Sequence, residues 1–382
     1  MMTDELYIKT DEQLDAFCTQ IKNSPYIAID TEFMREKTYY PQLCLIQIAT
    51  EDHIACIDPL VIKDLKPLWA ILYDENIIKI FHAARQDLEL IYNLTQNIPK
   101  PIFDTQIAAT LLGLGDQIGY ATLVKSMLNI DLDKSQTRTD WSQRPLDKEQ
   151  IKYAANDVKY LVKCYGLVRS QLNDKNRLDW LDKDFEQLSN SNLYDVDVQQ
   201  TWMKVSGKQK LKGNALGVLR TLSAWREKTA QEKDLPKKWV MKDDILIGLA
   251  MKRPKNTVQL AKIRGLTTDT ISRNGNTILN LINETEHQTP ERLNTPGKLN
   301  QEQDALIDSL MAVMRFRASQ ENISPAMIAN RKDLEQLLIE QNNTELAITQ
   351  GWRKAVAGDS IVDFLNGKIQ LIVKDGKLTI AN

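Results

Sequence analysis

The sequence contains few of the residues on which several common kinds of functional site depend. Only 3 histidines and 4 cysteines occur among its 382 residues, and no two cysteines form a CxxC pair. This shortage argues against a zinc site built from cysteine and histidine. Long apolar runs are also missing, because no segment approaches the roughly 20 residues that a membrane-spanning helix needs.

These absences leave a globular protein as the expected class. The first residues, MMTDELYIKT, lack the basic and then apolar order of a secretory signal peptide, so we expect a cytoplasmic protein without membrane contact. With 42% hydrophobic and 26% charged residues over this length, we expect two or three domains. A monomer is our starting expectation for the chain.

The charge is nearly balanced overall but unevenly distributed. A net charge of −2 argues against a uniformly basic nucleic-acid-binding protein. Between Asp197 and Glu227, however, there are six lysines and arginines and no acidic residue. A local basic surface in the second half of the chain is therefore predicted.

The first half of the chain has the pattern of an α/β domain, which we place at residues 1–190. Short apolar runs predict buried strands that are followed by helices with the 3.6-residue period. The predicted strands are Tyr26–Asp30, Leu43–Ala49, His53–Ile57 and Ile77–Phe81. Asp147 and Gln150 form the pattern of a capping box, which predicts the start of a long helix.

The second half of the chain has helical periodicity and an internal repeat. Residues 188–214 have the composition of a linker. Beyond this segment, several residues recur 89 positions later in the chain, as Pro236 does at Pro325. This offset predicts two small all-α domains, at 211–290 and at 298–382.

The last residues of the second repeat have a different pattern. The stretch KIQLIVKDGKLTI alternates around Asp375-Gly376, which predicts a C-terminal β-hairpin.

Acidic residues occur in the first domain where apolar residues would be expected. Asp30 and Glu32 are two positions apart in a strand, so their side chains lie on one face, where two charges at about 4 Å would repel by roughly 4 kcal/mol at an effective dielectric near 20. Asp87 follows another buried strand, and Asp157 lies on a helix four positions after Tyr153. Each acid alone has the ordinary interpretation of a cap or a surface charge, but their joint occurrence in one domain favours a shared site.

A pair of divalent cations would offset this repulsion. Mg²⁺ and Mn²⁺ prefer oxygen ligands, and two such ions can assist in-line displacement at a phosphodiester. Because a phenol with a pKa near 10 is a poor free base at pH 7, we expect Tyr153 to orient the attacking water. We expect His82 to have a structural role and Asp104 to cap a helix.

The quoted segments resemble a known family. IDTEF, HAARQDLE and YAANDV are similar to the three exonuclease motifs of the DEDD superfamily, and Tyr153 resembles the tyrosine that marks its tyrosine-type branch. The stretches DTEFMREKTYYPQLCLIQIA and DKSQTRTDWSQRPL resemble bacterial ribonuclease D. The helical repeat is similar to that family's two tandem helicase-and-RNase-D C-terminal domains, and the resemblance covers nearly the whole chain.

The resemblance implies a ribonuclease H-like fold and a two-metal-ion 3′→5′ exoribonuclease. It would release 5′-mononucleotides from RNA 3′ ends, including those of tRNA precursors. Asp30, Glu32 and Asp157 would hold the Mg²⁺ or Mn²⁺ ion that activates water. Asp30 would also contact the second ion, which Asp87 would support.

Other residues are expected to contact the RNA. The resemblance implies that the backbone from Thr31 to Phe33 meets the terminal ribose. In the loop before the catalytic helix, Lys134 and Arg138 would bind phosphate, as would Arg144. Trp141 would either stack on a base or fasten this loop to the core.

Two alternative functions remain open from the sequence. A DNA proofreading or repair exonuclease would use the same acids, because both substrates contain the phosphodiester. A non-catalytic nucleic-acid-binding protein would keep the acids for structure only, and the intact set of acids with Tyr153 argues against it.

Overall fold

The computed structural model describes residues 6–133, 136, 139–285, 299–340 and 346–381. The chain forms two compact units. The first contains Met1–Phe33, Leu43–Leu193 and Leu299–Asn382, and the second contains Met34–Gln42 and Tyr194–Lys298. Among the described residues, no helix combines the length and the hydropathy needed to cross a bilayer.

A mixed six-stranded sheet forms the centre of the first unit. Its order is β1-β4-β3-β2-β5-β6, with β2 parallel to β5 and β3 antiparallel to β4. The central strands are apolar and buried, since every residue of β4 is inaccessible to solvent. The strands are β1 (Leu6–Ile8), β2 (Tyr26–Met34), β3 (Gln42–Ala49), β4 (Ile54–Ile57), β5 (Ile78–Phe81) and β6 (Ile102–Asp104).

In the described part of the chain, seven helices accompany this sheet and confirm the predicted α/β class. The longest, α6, has 27 residues and begins after a capping box formed by Asp147 and Gln150, as the sequence predicts. Its buried face packs against β4 and β5. The helices are α1 (Asp11–Ile21), α2 (Lys66–Leu72), α3 (Arg85–Thr95), α4 (Thr105–Thr110), α5 (Tyr120–Leu128), α6 (Lys148–Asp174) and α7 (Asp182–Leu188).

The second unit is helical and has its own apolar core. The prediction that residues 188–214 form a linker is wrong for the last part of this range. Val198–Lys204 forms a 3₁₀ helix, and the side chains of Trp202, Val205 and Leu211 are buried against α8 and its neighbours, because these apolar residues recur among the polar ones. The helices are α8 (Asn214–Glu232), α9 (Lys237–Val240), α10 (Asp243–Lys252), α11 (Thr257–Leu260) and α12 (Thr268–Thr285).

The C-terminal helices belong to the first unit. The rings of Trp180 and Trp352 stack with centroids 4.8 Å apart, and Arg353 forms an ion pair with Asp184 at 2.7 Å. The predicted hairpin is confirmed. The elements are α13 (Gln301–Gln320), α14 (Arg331–Ile339), α15 (Gly351–Arg353), α16 (Asp359–Leu365), β7 (Gln370–Lys374) and β8 (Lys377–Ala381).

Candidate active site

Three carboxylates from two elements meet on the first unit. Asp30 and Glu32 project from β2, two positions apart, and Asp157 projects from α6. One carboxylate oxygen of each lies within 4.8 Å of the others. We call this group the carboxylate cluster. Its members are half-buried, so both solvent and a substrate can reach them.

Asp87 lies next to this cluster but is not a member of it. It occupies the first turn of α3, is only 7% exposed, and accepts a hydrogen bond of 2.5 Å from the Thr31 hydroxyl. Burial raises its pKa well above the ordinary value, and the negative charge of Asp30 raises it further. The structure therefore brings three of the four predicted ligands into one group and couples the fourth to it through charge.

Burial and mutual repulsion make the cluster acids hard to ionise. Burial raises the pKa of Asp30 to about 6. Burial, with the charges of Asp30, Asp157 and Asp87, raises the pKa of Glu32 to about 9. Burial, with the charge of Asp30, raises that of Asp157 to about 8.

The donor set of the cluster fits a hard divalent cation. In the described part of the chain, no lysine or arginine forms an ion pair with its three acids. A bound Mg²⁺ or Mn²⁺ would supply the positive charge that the protein does not, and clustered carboxylate oxygens are its preferred ligands.

These pKa shifts predict a pH-dependent effect of Mg²⁺ on stability. Because each pKa is raised on folding, the stability that these acids contribute without metal is fully present below about pH 4. It is lost as the pH rises through about 6 for Asp30, 8 for Asp157 and 9 for Glu32. We therefore expect MgCl2 to raise the melting temperature more at pH 8.5 than at pH 6, because fewer protons then compete with the cation.

Scanning calorimetry with MgCl2 or EDTA at both pH values checks this expectation. Asp157→Asn should lose most of the Mg²⁺ effect, whereas Asp15→Asn, an exposed aspartate on α1, should retain it. An equal Mg²⁺ effect at the two pH values would contradict the shifted pKa values.

Two tyrosines lie near these acids. Tyr153 is half-buried one helical turn before Asp157, and its ring centroid is 6.2 Å from that of Trp141. Tyr120, at the start of α5, donates a hydrogen bond of 2.9 Å to the Asn156 carbonyl. Burial, followed by the charge of Asp157, raises the pKa of Tyr120 well above its ordinary value. No sequence pattern singles out Tyr120, because its proximity to Asp157 depends on the packing of α5 on α6.

The predicted RNA-contacting residues have different environments. Thr31 is 8% exposed and its hydroxyl is bonded to Asp87, whereas Phe33 is half-buried close to the end of β2. Lys134 and Arg138 lie outside the described residues. Trp141 is only 3% exposed, so its ring faces cannot accept a base in this conformation. The structure therefore favours the alternative that Trp141 anchors its loop, since the ring packs beside Tyr153.

Arg144 is engaged inside the protein, which corrects its interpretation as a phosphate ligand. Its guanidinium binds the Asp58 carboxylate through two nitrogens, at 2.6 and 2.7 Å, and also donates to the Cys44 carbonyl. The Asp58 side chain is completely buried. The remaining nitrogen of Arg144, Nη1, donates to the Trp141 and Gln143 carbonyls, each at 2.7 Å. All five donors of the guanidinium are therefore in use, and none is left for a phosphate.

His82 and Asp104 have the expected structural roles. The ring nitrogens of His82 lie 2.9 Å from the Thr105 hydroxyl and the Ile118 carbonyl. Burial lowers the pKa of His82, which favours the neutral ring. Asp104 caps α4 by accepting from the backbone of Gln106 at 2.7 Å.

Sequence comparison relates this chain to one family of exonucleases. A profile described as "3'-5' exonuclease" matches residues 6–173, and one described as "HRDC domain" matches residues 215–282. Ribonuclease D of Sphingobium indicum is 40% identical over 378 residues, which cover 97% of each chain. Ribonuclease D of Bartonella henselae is 38% identical, over 96% of this chain and 91% of the relative.

Solved structures agree with the sequence relatives. The crystal structure of Escherichia coli RNase D superposes with a TM-score of 0.84 at 30% identity and covers 96% of this chain and 99% of that one. The catalytic core of RRP6 from Trypanosoma brucei has a TM-score of 0.57 at 25% identity, over 74% of this chain and 79% of that one. The sheet, the clustered acids and these likenesses together show that the chain belongs to the ribonuclease D family of 3′→5′ exoribonucleases.

Proposed function

We propose that this chain hydrolyses RNA from its 3′ end in the cytoplasm, releases 5′-mononucleotides, and trims the 3′ ends of tRNA precursors. The observation that carries the chemistry is the carboxylate cluster, in which oxygens of Asp30, Glu32 and Asp157 lie within 4.8 Å of one another. Three clustered acids that form no ion pair with a described lysine or arginine are suited to phosphoryl chemistry assisted by a divalent metal.

The acids divide into two proposed cation positions. Asp30, Glu32 and Asp157 would hold one ion, while Asp30 and Asp87 would hold the second. Bound Mg²⁺ or Mn²⁺ would supply Lewis acidity, which lowers the pKa of water and offsets charge on the phosphate. The Thr31 hydroxyl fixes the Asp87 carboxylate by donating to it at 2.5 Å.

Tyr153 is proposed to orient the attacking water through its hydroxyl group. Its place one helical turn before Asp157 supports this role and our proposal that the chain belongs to the tyrosine-type branch of the DEDD superfamily. The main chain from Thr31 to Phe33, which continues β2 past Asp30, is proposed to contact the terminal ribose.

The helical domains are proposed to bind RNA. Residues 215–282 contain 13 lysines and arginines against 6 aspartates and glutamates, so this segment is basic although the chain as a whole is not. Such an excess gives a phosphate affinity that falls with salt. We propose that 298–382 is a second domain of the same origin, on the basis of the sequence repeat, and that the protein is a monomer.

Incubating the purified protein with 3′-labelled RNA and DNA of the same sequence tests the proposal. We expect mononucleotide release from RNA with MgCl2 or MnCl2 and none with EDTA, because the acids need a cation to act. Preferred degradation of DNA would favour the repair exonuclease. Binding of RNA without degradation under any metal condition would favour the non-catalytic alternative.

A further inference from the structure

The loop that follows the catalytic strand is held by the helical unit. Residues Met34–Gln42, which begin with the last residue of β2 and end with the first of β3, group with Tyr194–Lys298. Within that unit, one carboxylate oxygen of Asp234 accepts the backbone N–H groups of Tyr39 and Tyr40, at 2.9 and 3.0 Å. The Tyr39 hydroxyl donates to Glu227 of α8 at 2.5 Å.

Glu227 is an unusual residue for the interior of a helical domain. Its side chain is completely buried, and its Oε1 accepts from Tyr39 and from the Lys237 ammonium at 3.1 Å. Its other oxygen, Oε2, is buried without a hydrogen-bond partner in the described structure. An unpaired buried carboxylate oxygen costs stability. A purely structural role would be better served by an apolar side chain of the same size.

Tyr39 also accepts a hydrogen bond from Arg35, the first residue after β2. The Arg35 side chain, three residues after Glu32, donates to the Tyr39 carbonyl at 3.2 Å. Gln231 donates to the Tyr39 hydroxyl at 3.2 Å, and burial, followed by the bond to Glu227, raises the pKa of Tyr39 above its ordinary value. The chain that leaves Glu32 is thus fixed at Arg35 and at Tyr39, and Tyr39 in turn is fixed by α8.

We infer that Glu227 is a positioning residue for the exonuclease reaction, which it serves through Tyr39. By holding the loop in place, it fixes the end of β2 that carries Glu32 and Phe33. This inference rests on the proposed function, since it assigns Glu32 to the reaction.

Three full-length variants test this inference on a short unstructured RNA oligomer. Tyr39→Phe and Glu227→Leu should each lower kcat by about tenfold, because small misplacements of reacting groups reduce the rate strongly. Glu227→Gln keeps an acceptor for the Tyr39 hydroxyl and should retain most of the wild-type kcat. KM should change little, since the loop is proposed to position acids rather than to bind the oligomer.

The matched control is Glu232→Leu, which removes an exposed glutamate from the same helix and should leave kcat unchanged. If Glu227→Leu fails to fold, the kcat of Tyr39→Phe still tests the inference, because this substitution removes one hydroxyl and no charge. The double variant Tyr39→Phe with Glu227→Gln should be no slower than Tyr39→Phe alone, since both act through the same bond.

The possible failures can be told apart. A kcat within twofold of wild type for Tyr39→Phe, or a lower melting temperature with kcat unchanged, would show that Glu227 is structural and would overturn the inference alone. If the wild-type protein releases no nucleotide in MgCl2 or MnCl2, the proposed function fails and the inference fails with it.

Discussion

Asp30→Asn is expected to lower kcat by at least about a thousandfold. A ligand to a catalytic cation contributes several kcal/mol to the transition state, and each 1.4 kcal/mol is a factor of ten in rate. Asp30 should have the largest effect, because it is proposed to serve both ions. The measurement is single-turnover hydrolysis of 3′-labelled RNA at saturating MgCl2.

The same substitution should not destabilise the protein. Without metal at pH 8, the substitution removes the charge of the cluster acid with the lowest pKa, about 6, and with it the repulsion of Asp157. The melting temperature should therefore be equal or higher, which separates loss of activity from loss of fold. Asp15→Asn, an exposed aspartate on α1, is the control and should have wild-type activity. Tyr153→Phe should lower kcat less than Asp30→Asn does, by about 10- to 100-fold, because it removes only an orienting hydrogen bond. A greater loss for Tyr153→Phe than for Asp30→Asn would overturn the proposed roles.

Arg144→Leu is expected to lower the free energy of unfolding by about 3–5 kcal/mol, because it leaves the buried Asp58 carboxylate without its cation. Arg144 binds both oxygens of Asp58, at 2.6 and 2.7 Å. Burial alone would raise the pKa of Asp58, but the bonds from Arg144 and Tyr7 lower it overall. The ion pair therefore stabilises the protein above about pH 4, and this contribution is lost as the pH falls below that value. Urea unfolding at pH 7 measures the loss.

An exposed ion pair provides the comparison. Lys125 and Asp131 are 2.7 Å apart, but their side chains are 46% and 83% exposed, so Lys125→Leu should cost no more than about 1 kcal/mol. The deficit of Arg144→Leu should also shrink as the pH approaches 4, because the unpaired Asp58 can then take up a proton. If Lys125→Leu and Arg144→Leu lowered the free energy of unfolding equally, burial of Asp58 would not determine the size of the loss.

Much of the fold and the identity of the acids could be predicted from local sequence patterns. Apolar runs locate β2 and α6, the capping box at Asp147 marks the start of α6, and Asp375-Gly376 marks the terminal hairpin. The placement of Asp30 and Glu32 on one strand face also follows from spacing alone. These features depend on residues a few positions apart, where backbone geometry leaves few alternatives.

Local sequence patterns did not predict the environment of residues whose partners lie far along the chain. Arg144 occurs in a loop whose basic and aromatic residues are typical of RNA binding. Its side chain nevertheless pairs with Asp58, 86 positions earlier. Residues Trp202 and Val205 occur in a polar segment that resembles a linker, and they pack into the helical core. Neither outcome could be predicted from neighbours in sequence, because burial depends on which surfaces the folded chain brings together.

The sequence by itself therefore determined the family and the strand and helix on which the predicted site acids lie. Only the tertiary structure decided that Asp30, Glu32 and Asp157 form one group while Asp87 stands beside it, bonded to Thr31. It also decided that the loop after β2 is held by Glu227 of α8. The physical reason is that local periodicity selects the elements, whereas distances between side chains from different elements depend on how those elements pack.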